Sequence, residues 1–141
     1  MAEIVHQIGI DGTDRAVYHA LTTSEGLACW WTDDVQAEAR EGSVATFGFS
    51  GHSVVFRMEV SELVPGRRVR WHCLGDFDEW TGTDLAFDIE EAVEGGVVLC
   101  FTHAGWATTE GAYRHCNTDW GRLMYSLKDH IEGRGQGPFM H

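Results

Sequence analysis

The chain reads as an α+β protein: an antiparallel sheet of six to seven strands is covered by one long C-terminal helix, and two short helices follow the first strand. Three observations predict this. For about seventy residues from Val35 onward, polar and apolar side chains alternate between Gly, Pro and acidic turns, without helical periodicity. Cys116, Trp120, Leu123, Leu127 and Ile131 then recur at three- and four-residue steps over 113–131, which draws one apolar stripe along an α-helix. The dry face of such a sheet needs a cover, and only this helix, about 30 Å long for 20 residues, has the reach.

Ile4, His6, Ile8 and Ile10 alternate with Val5, Gln7 and Gly9, the period of a half-buried strand, and Asp11-Gly12 ends it. Thr13 before Asp14 supplies an N-cap and an acidic first turn, after which Ala16, Val17, Ala20 and Leu21 share a face of a short helix. A second short helix follows. Thr22 and Glu25 have capping-box spacing, Leu27, Trp30 and Trp31 form an apolar edge, and Asp33-Asp34 closes it. Strands are then expected over 35–38, 43–49, 53–64, 67–74, 81–91 and 96–103. Pro65-Gly66 suits a type II turn, and connections this short make consecutive strands antiparallel neighbours.

Parity assigns the faces. Phe47, Met58, Trp71, Leu85, Phe87, Leu99 and Phe101 point to the dry side, while Arg57, Arg70, His72, Asp84, Asp88 and Glu90 point to water. Thr108 or Thr109 is expected to cap the turn leading to the final helix, Met124 to widen the helix stripe and Gly133 to stop it. The Gly-rich tail over 133–141 reads as irregular, with Phe139 tucked back onto the core.

A length of 141 residues fits one domain spanning 1–141, with 134–141 as its irregular tail. No apolar run approaches the roughly 18 residues that would span a bilayer, and the N-terminus lacks a basic segment followed by an apolar block, so the expected location is cytoplasmic. With 22 acidic against 10 basic residues the net charge is −12, which disfavours nucleic acid and anionic lipid surfaces as partners. Cys29, Cys73, Cys100 and Cys116 have no CxxC spacing and read as free, mostly buried thiols.

Few residues carry chemistry. The eight histidines include no HExxH or short-range ligand cluster, so no metal and no cofactor is expected. No nucleophile elbow appears. His103 has inward parity where its strand leaves the sheet; it serves as a ligand-orienting group, as an acid or base, or as a core histidine satisfied by its neighbours. Trp71 and Trp120 face the same interior from sheet and helix, either as packing or as an aromatic wall. Thr83 and Tyr113 offer hydroxyls to a pocket or its rim, and Gly121 beside Trp120 leaves room. Asp76, Asp78 and Glu79 read as a solvated loop in which Phe77 and Trp80 form a lid or a docking edge.

The segments AVYHALTT (16–23), LACWWT (27–32), LVPGRRVRW (63–71), FTHAGW (101–106) and DWGRLMYSLKDHIEGRGQGPF (119–139) together resemble the START-like or SRPBCC superfamily with its helix-grip fold. Within it the chain is similar to the family named after the C-terminal domain of the activator of the heat-shock-protein-90 ATPase. The resemblance implies a curved sheet gripping the last helix, with a cavity between them that holds an apolar molecule in many relatives. It implies no universal catalytic residue, and fold alone leaves function open. The first expectation is an apolar or amphipathic small ligand held by Trp71, Thr83, Phe87, His103, Tyr113, Cys116, Trp120 and Met124. The second is a polyketide cyclase or dehydratase acting through His103, and the third a co-chaperone-like module stimulating a heat-shock-protein-90-type ATPase. A homodimer is a further possibility for partners.

Overall fold

The computed structural model describes residues 2–140; Met1 and His141, the two ends of the expected domain, lie outside them. In chain order the elements are β1 (Ala2–Ile10), α1 (Asp14–Thr22), α2 (Ser24–Trp30), β2 (Val35–Gln36), β3 (Val44–Phe49), β4 (Val54–Val64), β5 (Arg68–Gly75), β6 (Asp84–Glu91), β7 (Val97–Trp106) and α3 (Ala112–Ile131). They form a seven-stranded sheet in the order β1-β7-β6-β5-β4-β3-β2, antiparallel at every pairing. Strands β2 to β7 follow one another as the short turns require. β1 instead pairs with β7, from Ile10 opposite Val97 to Glu3 opposite Ala104. Register shifts at Arg57/Met58 and Val60/Glu62 mark irregularities in β4, which bend a strand and help the sheet curve.

Strand parity holds through the core. Phe47, Met58, Val69, Trp71, Leu85, Phe87, Leu99 and Phe101 are buried on one face, and Trp120, Leu123, Met124 and Leu127 of α3 are buried with them in one cluster. The helix also covers the open edge of β1, whose backbone groups would otherwise invite another strand. Tyr113 Oη donates to Glu3 O (2.9 Å), Lys128 Nζ donates to Gly9 O (2.6 Å), and Asp11 N donates to Glu132 Oε2 (2.8 Å). His6 Nε2 lies 3.0 Å from Asn117 Oδ1 on the same seam.

The junction of α1 and α2 shifts the expected cap by one residue. Thr23, not Thr22, caps α2: its Oγ1 accepts from Gly26 N at 3.0 Å, while the Thr22 hydroxyl turns back to donate to Tyr18 O at 2.8 Å. Thr23 serves both helices, since its N–H also closes α1 on His19 O. The helices abut so closely that a Cβ on Gly26 would lie 2.5 Å from His19 O and 2.6 Å from Ala20 Cα. A capping signal read from spacing alone does not contain that approach.

The tail also differs from expectation. Phe139 N donates to Trp30 O (3.3 Å) and Met140 N to Trp31 O (2.8 Å), so the extended backbone is docked on the end of α2. Alternation along that backbone turns Met140 inward and leaves Phe139 39% exposed. Gly133 follows α3 as expected, with φ of +84°.

Candidate functional site

Seven indole and phenyl rings meet between the sheet, the end of α2 and α3. Trp31, placed by the C-cap position of α2, is 1% exposed and lies between sheet and helix. Its ring centroid is 4.6 Å from Phe47, 5.2 Å from Trp120 and 6.1 Å from Trp71, the last pair stacked. From the loop between β5 and β6, Trp80 reaches Phe56 at 4.5 Å and stacks on Trp120 at 6.0 Å, while Phe77 stacks on Phe56 at 5.7 Å. Aromatic pairs at such spacings contribute about 1 kcal/mol each beyond the area they bury.

Rings this large do not close the space completely. A cavity of about 240 Å³ remains, walled by Trp31, Phe49, Val54, Phe56, Phe77 and Trp80, by one face of α3, and by Met140 of the tail. The α3 positions are Ala112, His115, Cys116, Asp119, Trp120 and Leu123, steps of three and four that share one side of a helix. Trp31, Trp80, Trp120 and Leu123 are its buried floor, and Val54, His115 and Asp119 lie toward solvent. Among the described lining residues Asp119 is the one anion; its Oδ2 is 3.2 Å from Nε2 of the outward-lying His115.

The mouth is braced by Glu79. The N-cap position of α3 is Gly111, which has no side chain to offer. Instead Glu79 Oε1 accepts from Ala112 N at 3.1 Å across the sequence, placing a carboxylate on the positive end of the helix. Thr108 caps the turn leading to α3, as expected, its Oγ1 accepting from Glu110 N at 3.1 Å. The loop expected to be solvated, with Phe77 and Trp80 as a lid or a docking edge, is thus tied to α3, with Trp80 only 5% exposed. Replacing Glu79 with alanine should cost about 1 kcal/mol of stability and loosen the first turn of α3, read as faster amide exchange there. Unchanged exchange in that turn would show that the brace does not hold the helix start.

Of the residues expected to hold a ligand, Cys116 and Trp120 line this cavity. The others lie elsewhere. Trp71, Phe87 and Met124 are buried in the packed core at 2% exposure or less. Tyr113 spends its hydroxyl on Glu3 O and sets its ring edge-on to Trp106 at 5.5 Å. Gly121 gives its open side to β1, where a Cβ would lie 3.5 Å from His6 Cε1. Trp31, Phe56 and Met140 carried no site signal, and Phe77 and Trp80 were read as a lid or a docking edge, although the α3 spacing pointed to the face that bears Ala112, Cys116 and Asp119.

His103 and Thr83 form a closed relay beneath the cavity floor. Thr83 Oγ1 donates to Trp80 O at 2.6 Å and lies 2.8 Å from His103 Nε2, so Nε2 carries the proton and donates to the hydroxyl. Nδ1 then accepts from Trp120 Nε1 at 3.2 Å. Both ring nitrogens are used, the residue is fully buried, and burial depresses its pKa from 6.5 to about 3. The arrangement ties β7, α3 and the loop before β6 together with a neutral imidazole and presents no nitrogen to a substrate. Burial likewise pushes the Cys116 thiol up, with the neighbouring Trp80 indole opposing it, which keeps the sulfur protonated and unreactive.

All four cysteines are free; Cys73 is buried and the other three are half-buried. Among the described residues no group of three or more His, Cys, Asp or Glu could hold a metal ion, and no helix is long and apolar enough to cross a membrane.

Residues 12–132 match the family model described as Activator of Hsp90 ATPase homolog 1-like protein. None of the curated proteins matches the sequence. Among solved structures, the Aha1 dimer of Colwellia psychrerythraea is similar at 36% identity, with a TM-score of 0.87 over 95% of this chain and 98% of that one. Protein MLL2253 of Mesorhizobium loti shares the fold at 15% identity and a TM-score of 0.81, over 94% of this chain and 98% of that one. DynU16, a protein of the dynemicin biosynthetic locus, does so at 18% identity and 0.78, over 99% of this chain and 49% of that one. The seven-stranded sheet wrapped on α3 is the helix-grip architecture of the SRPBCC superfamily, and with 121 of its residues spanned by the model, from 12 to 132, the chain belongs to the activator of Hsp90 ATPase homolog 1-like family.

Proposed function

We propose that this protein binds an apolar or amphipathic small molecule in the cavity between Trp31, the β3–β4 hairpin, Trp80 and the first half of α3. The observation that carries this reading is an aromatic-walled hollow of about 240 Å³ between the sheet and α3. An apolar cavity of roughly 150 Å³ takes one benzene, so a fused two-ring aromatic or a short branched chain is the appropriate size. Burying about ten carbons at about 0.8 kcal/mol each gives a gross gain of about 8 kcal/mol. Association entropy of about 4 kcal/mol or more is subtracted from that, leaving dissociation constants of roughly millimolar order. The cyclase-like alternative loses its acid or base, because His103 is neutral and its nitrogens are occupied within the core.

Binding is tested by thermal unfolding of the purified protein against naphthalene-sized and smaller apolar compounds, with Ala112→Trp in parallel. Ala112 is half-buried on the cavity wall, so a larger side chain there occupies the hollow without emptying the core. At least one compound should raise the melting temperature of the parent and leave the filled variant unmoved. No shift across the panel, or an equal shift in both proteins, would contradict the reading.

Family membership and the 36% identity to the Aha1 dimer favour a second reading, that of a module which stimulates a heat-shock-protein-90-type ATPase and works as a homodimer. Its expected result is a rise in the ATPase rate of such a chaperone on addition of this protein. A flat rate at saturating protein would eliminate it.

A further inference from the structure

We infer that the ligand of this cavity is a cation: a protonated or quaternary amine whose apolar body lies among the rings while its charge sits at the mouth beside Asp119. This rests on the cavity-binding reading and names the ligand's chemical class. Trp31, Phe49, Phe56, Phe77, Trp80 and Trp120 present ring surface to one small space, and aromatic faces attract cations through their quadrupole, Trp most strongly. Asp119 is the one carboxylate among the described lining residues, and its side chain is 23% exposed, partly withdrawn from solvent, where a charge pair is screened less than at the surface.

The surroundings add charge of the same sign. Glu79 holds the start of α3 by accepting from the N–H of Ala112, a residue of the cavity wall, and Asp119 and Glu79 both push the Cys116 thiol up. The basic groups nearby are committed elsewhere. Arg57 Nε donates to Asp76 Oδ2 at 2.7 Å, and Arg114 Nε donates to Thr109 O at 3.2 Å. His115, the one basic residue of the described lining, contacts Oδ2 of Asp119 from an 80% exposed side chain and adds no group to the floor. An anionic ligand would meet the Asp119 carboxylate with no lysine or arginine in the described lining to offset it. The net charge of −12 draws cations toward the molecule as a whole.

The test uses three probes of one shape: 1-naphthylmethylamine, 1-naphthalenemethanol and 1-naphthoate, titrated calorimetrically at pH 7.5 into the full chain and into Asp119→Asn and Glu94→Gln. Glu94 lies exposed in the β6–β7 turn, outside the cavity lining, and controls for net charge alone. The amine should bind roughly tenfold more tightly than the alcohol, a difference of about 1.4 kcal/mol, and the carboxylate most weakly. Asp119→Asn should bring the amine to the level of the alcohol while alcohol affinity stays put, and Glu94→Gln should change neither. An alcohol that binds as tightly as the amine, or an amine preference that survives Asp119→Asn, overturns the cationic assignment and leaves cavity binding standing. Failure of all three probes overturns both.

Discussion

Replacing Trp120 with alanine should lower the free energy of unfolding by about 4 kcal/mol, within the roughly 3 to 5 kcal/mol expected for emptying a fully packed Trp site. Trp120 is 1% exposed, and its ring meets Phe101 at 4.2 Å, Trp31 at 5.2 Å and Trp80 at 6.0 Å. It therefore joins the sheet, α2 and the β5–β6 loop to α3. Its removal also strands a polar atom, because its indole N–H is the donor to His103 Nδ1. Trp120→Phe separates the two effects: most of the ring stays, the donor goes, and a buried acceptor without a partner costs about 1 to 3 kcal/mol. Urea unfolding followed by far-ultraviolet circular dichroism reads both variants independently of Trp fluorescence. A loss below about 1 kcal/mol in Trp120→Ala would mean that α3 is not anchored here.

Acid should destabilise the fold well before the bulk of its carboxylates titrate, and His103 should account for much of that loss. Its pKa is about 3 in the folded chain against an ordinary 6.5 once unfolded. Above the unfolded value both states are neutral and the contribution is complete. As pH falls from about 6.5 toward about 3, the unfolded chain takes up a proton that the folded one refuses, and stability declines by about 1.4 kcal/mol per pH unit. His130, lowered by burial and by His19, acts in the same direction.

Glu132 enters only in stronger acid. The Asp11 N–H first, then Lys128 and Arg134, hold its pKa at about 2 against 4.5. Its contribution is therefore present above about 4.5 and fades toward about 2. Urea midpoints between pH 7.5 and 4.5 isolate the histidines: the parent should lose about 2 to 3 kcal/mol across that window. His103→Asn should start less stable and show at most half that slope. Equal slopes in the two proteins would mean that His103 is not the buried neutral group described.

Much of the fold was legible because its signals are local and repeated. The alternation from Val44 to Phe101 assigned the dry face, and the stripe from Cys116 to Ile131 assigned the helix that covers it, since each depends on a period that many residues share. The caps were less legible for a physical reason. Glu79 stands 33 residues from the N–H it accepts, and Thr23 takes its place because Gly26 lets two helices close on each other. Spacing rules see only neighbours.

The candidate site was read at its helix and missed at its other walls. Cys116 and Trp120 follow from the stripe of α3. Trp31 sits at the end of a seven-residue helix, too short to declare a face, and Phe77 and Trp80 lie in a loop whose acidic residues read as solvated. Met140 points inward only because the tail pairs with Trp30 and Trp31. His103 had the right parity for a site, yet Thr83 and Trp120 take both its nitrogens, a pairing set by three separate elements.

Nuclear Overhauser contacts between 1-naphthylmethylamine and the protein test the central claim most directly, because they locate the ligand as well as detecting it. Cross-peaks from the naphthyl protons to the indole protons of Trp31, Trp80 and Trp120 and to the Phe56 ring are the predicted result, all lost in Ala112→Trp. Contacts confined to the outer face of the sheet, or cross-peaks that persist unchanged in the filled variant, would contradict it.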